Sequence, residues 1–298
     1  MIKMALLGLI QKFKATHGSR SLRMHEFIVE VNLEGKINNG FVGGIDYDGP
    51  KRHLGRILSS LEGQYLDDIV GRATNENIAQ YIFYQLRQLS IHSLTVSERG
   101  EQYARVFSSD IDFEDYPAQL HLSKGQSFLL REKPELAIKE LDQAIALRGN
   151  FAEAYNLRGR CKKYLQGYNS ALPDFLKAIE IDPELGEAYR NLGNAYYHLD
   201  KLDLMIPAFT RAVELMPNSA LAFNNRGFAY QRLQEWKLAL MDHNKAIELD
   251  HNYEEAYRDR TVVHEALGKR GLAMKDLSKA KKLKESGKDT FAGIKMYC

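Results

Sequence analysis

The sequence predicts two architectures in series: an α+β amino-terminal domain of order ββααββ, followed by an all-α solenoid of about five repeats. Three observations carry that reading. Gly125, Gly159, Gly193 and Gly227 stand 34 residues apart, and Thr261 takes the next step of the same ladder. Ala144, Ala178, Ala212, Ala246 and Ala280 keep the same interval, as do Ala137, Ala171, Ala239 and Ala273, with Met205 as the one substitution. What precedes residue 109 is different in kind: residues 26–32, EFIVEVN, alternate apolar and polar as a half-buried strand does.

In chain order, GKINNGFVGGIDYDG (35–49) is turn-rich and feeds a second strand. Residues 50–61 read as a helix starting at Pro50, and TNENIAQYIFYQLRQL as a longer helix opened by Thr74 as N-cap. HSLTVSE and QYARVFS form a pair of strands around Gly100, and the acidic SSDIDFEDYP leads into the repeats. The expected layout is therefore a domain over 1–108, a linker over 109–117, five repeats over 118–286 and a tail over 287–298.

Within the repeats, two antiparallel helices approach closely only where facing side chains are small, so Gly and Ala mark the crossing points. Tyr155, Tyr189, Phe223 and Tyr257 sit four positions before the glycine row and fill the gaps, while Ile179, Val213 and Ile247 follow the alanine row. Pro183 and Pro217 close their repeats. Pro173 and Pro207 match across one period and are expected early in each second helix, where a missing N–H costs least. This pattern resembles the tetratricopeptide repeat family over about five repeats. The resemblance implies a surface that binds another chain and is nearly silent on which chain.

Composition agrees with two ordinary domains. With 41 basic and 39 acidic residues the formal charge is +2, so neither a nucleic-acid footprint nor a supercharged tail is indicated. The two cysteines make no disulfide framework, and Cys161 reads as a buried inert thiol. The apolar run MALLGLI is too short to span a bilayer, so a soluble cytoplasmic protein without a membrane partner is expected. Lys275, Lys279, Lys281, Lys282 and Lys284 read as the solvated face of a final helix. No P-loop, dinucleotide fingerprint, nucleophile elbow or paired-cysteine knuckle occurs.

Six short motifs in the first 108 residues, FKATH, LRMHEFIVEV, GIDYDGPK, LEGQYLDD, ATNENIAQYI and TVSE, stand in an order that resembles the 6-pyruvoyl- and 6-carboxytetrahydropterin synthases of the tunnelling fold. That resemblance implies a zinc ion on three imidazoles, and His17 and His25 match two of those positions. The third is Arg23, whose guanidinium has no lone pair for a metal. The family's catalytic cysteine falls at Ser19 and its catalytic histidine at Gly63. Three independent losses imply an abandoned reaction, with no cofactor expected. Glu98 matches the glutamate that anchors a pterin or purine edge, with Thr74 and Glu76 beside it, and Arg23 would stand as a fixed cation for an anionic ligand. The family also closes its sheet edges by oligomerisation, so a homo-oligomer is expected.

First-helix residues of each repeat are expected to line a groove: Asn156 and Arg160, then Arg190, Asn191 and Asn194, then Asn224 and Asn225, then Arg258 and Asp259. Amides suit an extended peptide backbone, and the arginines favour an acidic partner segment. The arrangement that clamps chaperone C-termini in some repeat proteins is not matched. The leading expectation is a non-catalytic adaptor that assembles through its first domain and recruits a protein through its repeats. Two alternatives stand beside it: an active pterin- or deazapurine-pathway lyase with a modified zinc site, and a pterin or purine sensor.

Overall fold

The computed structural model describes residues 4–16, 24–38, 41–43, 48–62, 64, 66–70, 74–87, 91–98, 102–107 and 112–286. The chain divides into two compact units, Met1–Gly149 and Asn150–Cys298.

The first unit opens with β1 (Met4–Thr16), β2 (Met24–Asn38) and the short β3 (Phe41–Gly43). Helices α1 (Asp48–Leu61), α2 (Asp67–Val70) and α3 (Asn75–Gln85) follow, then β4 (Ile91–Glu98) and β5 (Gln102–Phe107). The sheet order is β1-β2-β4-β5, antiparallel throughout, with β3 on the end of β2. The run MALLGLI belongs to β1, which pairs with β2 from Met4↔Lys36 to Thr16↔Met24. Part of the segment read as turn-rich is strand, since β2 continues through Gly35 to Asn38. Alternation sets the buried face: Val29 lies opposite Val96 and Leu94 opposite Val106, and all four are buried. Leu54, Leu58 and Leu61 of α1 and Ile78, Ile82 and Phe83 of α3, spaced by helical turns, complete that core.

Phe113 and Tyr116, both from the stretch 109–117 expected as a linker, join the same core. The Tyr116 ring lies 4.8 Å from that of Tyr84, and burial raises its phenol pKa. The first hairpin, α4 (Tyr116–Leu130) and α5 (Pro134–Leu147), is thus part of the first unit, and the Ser123 hydroxyl donates to the Val70 carbonyl at 3.4 Å.

The second unit holds four hairpins: α6 (Ala152–Gln166) with α7 (Tyr168–Ile181), α8 (Gly186–His198) with α9 (Leu202–Leu215), α10 (Ala220–Arg232) with α11 (Trp236–Leu249), and α12 (Glu254–Ala266) with α13 (Arg270–Glu285). The glycine row explains their closeness. A Cβ on Gly159 would stand 2.6 Å from the Phe175 ring, on Gly193 2.7 Å from Phe209, and on Gly227 2.8 Å from His243. Pro173 and Pro207 do not sit where a missing N–H costs least: each is the sixth residue of its helix, past the first turn, where the absent N–H removes an intrahelical bond. Cys161 is buried, and desolvation pushes its thiol up to about 12. The five lysines of α13 are exposed, as expected. No described helix is long and apolar enough to cross a membrane.

One recurrent feature was not read from the sequence. Arg158 grips Asp174 with both ends of its guanidinium at 3.0 and 2.7 Å, Arg226 grips Asp242 at 2.7 and 2.8 Å, and Arg260 grips Asp276 at 2.7 Å twice. Each joins first helix to second within one repeat. The α8–α9 repeat has Leu192 and Ala208 at these positions, so cation and anion are both replaced by apolar groups.

Candidate functional site

Helix starts at 152, 186, 220 and 254 put equivalent columns of α6, α8, α10 and α12 in line. Two such columns, 156/190/224/258 and 157/191/225/259, carry most of the expected groove residues. Asn191 donates through Nδ2 to Asn156 Oδ1 at 2.8 Å, and Asn224 donates through Nδ2 to Asp259 Oδ2 at 2.9 Å. Asn156, Asn191 and Asn224 are each 3% exposed. The sequence reading offers these amides to a bound peptide; the structure gives them partners in neighbouring repeats, where they act as pins.

The Asn224 pin belongs to a network with one consistent proton arrangement. Because its Nδ2 donates to Asp259, its Oδ1 accepts from His243 Nδ1 at 2.8 Å. Gln231 then donates to His243 Nε2 at 2.7 Å and to the Asp259 carbonyl at 2.8 Å. The imidazole is therefore neutral and protonated on Nδ1. A second proton would face the Gln231 donor, and burial pushes the His243 pKa down to about 3, with Arg260 adding to the shift. Asp259 moves the other way, raised to about 6 chiefly by burial, with Asn224 lowering it and Glu255 raising it.

Above this floor lies a groove of about 380 Å³. Asn194, Asn224, Asn225, Arg258 and Asp259 of the expected set line it, together with Tyr168, Tyr197, His198, Phe228 and Glu255. Its walls are aromatic: Tyr168 stacks on His198 at 4.2 Å, and Tyr197 meets His198 at 4.9 Å and Phe228 at 5.1 Å, both edge to face. Burial and Lys163 lower the His198 pKa. The sequence reading missed these rings, although Tyr197 and Phe228 lie on the first helices that carry the expected amides. The expected arginines differ in state. Arg258 donates to Glu255 at 2.8 Å and lies 3.7 Å from Glu254. Arg160 is half-buried. Arg190 is 6% exposed, with Nη1 buried and lacking a hydrogen-bond partner.

In the first unit, His17, Ser19, Arg23 and Gly63 lie outside the described residues. His25 stands opposite Ala15 in the β1–β2 ladder, and Glu98 closes β4 opposite Phe27. Thr74 caps α3, its hydroxyl accepting from the Asn77 amide at 3.1 Å, and Glu76 sits exposed in the first turn. Among the described residues no three His, Cys, Asp or Glu side chains converge as metal ligands.

Residues 152–185 and 186–219 match the tetratricopeptide repeat model. Hsc70-interacting proteins 1 and 2 of Drosophila melanogaster are each 33% identical over 107 residues, covering 36% of this chain and 28% of those proteins. The chain thus spans about a quarter of the length of these curated relatives. Among solved structures, MamA 41-end from Desulfovibrio magneticus RS-1 matches with a TM-score of 0.50 at 22% identity, over 57% of this chain and 96% of that one. A double mutant of RS-1 MamA matches with a TM-score of 0.51 at 22% identity over the same shares. At this identity the likeness is one of fold. The chain therefore carries tetratricopeptide repeats, and repeats of this kind support a protein–protein interaction role.

Proposed function

We propose that this protein is an adaptor whose α8–α12 groove binds an extended segment of a partner protein. The observation that carries the proposal is the aromatic and amide lining of that groove over a floor pinned by buried side-chain hydrogen bonds. A floor of this kind holds its shape before the partner arrives, which reduces the ordering cost of binding. Asn194 and Asn225 stand half-exposed on the lining, positioned to pair a peptide backbone.

Residues 1–108, in this proposal, are a pterin-synthase-like domain that has lost its reaction and serves assembly. Arg23, Ser19 and Gly63 support this, since each removes a group the family's chemistry needs. Selection of a random dodecapeptide library on the purified full chain tests the groove. Peptides that bind the wild type and lose affinity on Asn194→Ala plus Asn225→Ala support it, and an absence of enriched peptides overturns it. Stoichiometric zinc with turnover of a dihydroneopterin triphosphate analogue would establish the lyase alternative. A strictly monomeric mass in light scattering would remove the assembly role.

A further inference from the structure

We propose that the groove seats an arginine side chain of the partner, with the guanidinium held between the Tyr197 and Phe228 rings and the Asp259 carboxylate. This assignment deepens the peptide-groove reading and rests on it. It replaces the acidic partner expected from sequence with a basic one at this end of the groove.

The protein builds the same arrangement three times for its own arginines. Arg158 lies 5.2 Å from the Tyr155 ring centroid while gripping Asp174, and Arg226 lies 5.7 Å from Phe223 and 5.9 Å from Tyr230 while gripping Asp242. Arg260 lies 5.5 Å from Tyr257 while gripping Asp276. Ring, guanidinium and carboxylate form a sandwich that desolvated cations favour, and Arg suits it better than Lys because its plane stacks and its fork is bidentate. The groove contains two parts of that sandwich. Tyr197 and Phe228 supply the rings and Asp259 the carboxylate, and all three line one cavity.

Local charge agrees. Asp259 receives the Asn224 amide on Oδ2, and no basic side chain among the described residues pairs with it. Of the basic residues here, Arg258 is shared by Glu254 and Glu255, while Arg232 lies 5.7 Å from the Tyr197 ring centroid and pairs with no carboxylate of the groove lining among the described residues. Among the residues that line the groove, the carboxylates of Glu255 and Asp259 stand with the one guanidinium of Arg258, a charge of 1 − 2 = −1. Burial is the main cause of the raised Asp259 pKa; Glu255 and Glu254 add to it while the Asn224 hydrogen bond and Arg258 oppose it, and an incoming cation would favour the ionised form.

The test extends the library selection on the full-length chain, with wild type and Asp259→Asn screened in parallel. Asparagine keeps the size of the side chain and an acceptor for Asn224, and the melting temperature of the variant reports its folding. Enriched wild-type peptides should share one arginine. Replacing that arginine by neutral citrulline should cost roughly tenfold or more in affinity by fluorescence anisotropy, and Asp259→Asn should cost the wild-type peptide a similar factor. Should Asp259→Asn fail to fold, Glu255→Gln takes its place with the same expected direction. A shared acidic or purely apolar residue, or arginine enrichment unchanged in the folded variant, overturns this assignment and leaves the groove standing. Failure of any peptide to enrich on the wild type overturns both.

Discussion

The repeats built from α8–α9 and from α10–α11 have the same backbone and opposite interiors. The first packs Phe209 under Gly193 and sets Leu192 and Ala208 at the interhelix crossing. The second packs His243 under Gly227 and sets the Arg226–Asp242 pair at the equivalent crossing. The fold accepts either solution, provided that polar groups are introduced with all their partners. A buried ion pair is no better than apolar groups of similar volume, but half of one is much worse.

The largest expected effect follows from splitting the pair. Asp242→Ala leaves the Arg226 guanidinium, whose side chain is 18% exposed, without its carboxylate, and should cost about 3 kcal/mol in chemical denaturation. Importing the neighbour's solution, Arg226→Leu with Asp242→Ala, should recover to within about 1 kcal/mol of wild type. A double variant as unstable as the single one would show that the two repeats are not interchangeable at this crossing.

The glycine crossings come next. Gly193→Ala and Gly227→Ala each force a Cβ to within 2.7–2.8 Å of a ring, an overpacking cost of about 2 kcal/mol. Phe209 can shift without breaking a polar contact, whereas His243 must give up hydrogen bonds to Asn224 and Gln231. Gly227→Ala should therefore be the worse by about 1 kcal/mol. Equal melting temperatures for the two variants would mean that the network adds no rigidity.

These contrasts also show what the sequence made legible. The glycine and alanine rows and the N-cap Thr74 could be read directly, because a fixed period and a capping residue are local signals. The Arg–Asp pairs left a signal too, a constant interval of 16 residues from 158 to 174, 226 to 242 and 260 to 276, with both members lost together at 192 and 208. The burial of Asn156, Asn191 and Asn224 was hidden, because an amide in a first helix reads the same whether its partner is a ligand or the next repeat. In the first unit, β1 begins with an unbroken apolar run, so alternation does not announce a strand before Gln11. Phe113 and Tyr116 were hidden in an acidic stretch whose composition reads as solvent-exposed, although both rings pack on α3.

Acid should separate the two repeats further. His243 has a folded pKa of about 3 against the usual 6.5, so its contribution is complete above 6.5 and lost as pH falls from 6.5 towards 3. Asp259, raised to about 6, has the opposite sign: its contribution is present at acid pH and lost as pH rises from about 3.8 to 6. Around Asp259 stand Glu254, Glu255 and Arg258 of α12 and the Asn224 amide of α10, while His243 of α11 joins through Asn224. Between about pH 4 and 6 the two terms nearly cancel. His243→Phe, the residue of the preceding repeat, should cost about 1–2 kcal/mol at pH 7 by orphaning Asn224 and Gln231. Its deficit relative to wild type should shrink as pH falls to 4, because only the Asp259 term remains. A deficit constant with pH in thermal melts would exclude His243 as the buried neutral group.

The smallest difference lies at the helix ends. Asp200 closes the first helix of one repeat at φ 57° and Gln234 closes that of the next at φ 60°, where the following repeat has Gly268 at φ 72°. Left-handed backbone costs a side chain with a Cβ roughly 1 kcal/mol, less for aspartate, whose short polar chain tolerates the region. Gln234→Gly should therefore stabilise by up to about 1 kcal/mol and Asp200→Gly by less, offset in both by the added freedom of the unfolded chain. Calorimetric melting of the two variants reads the order directly. If Asp200→Gly gained more, the local hydrogen bonding of these turns, rather than their backbone angle, would set their stability.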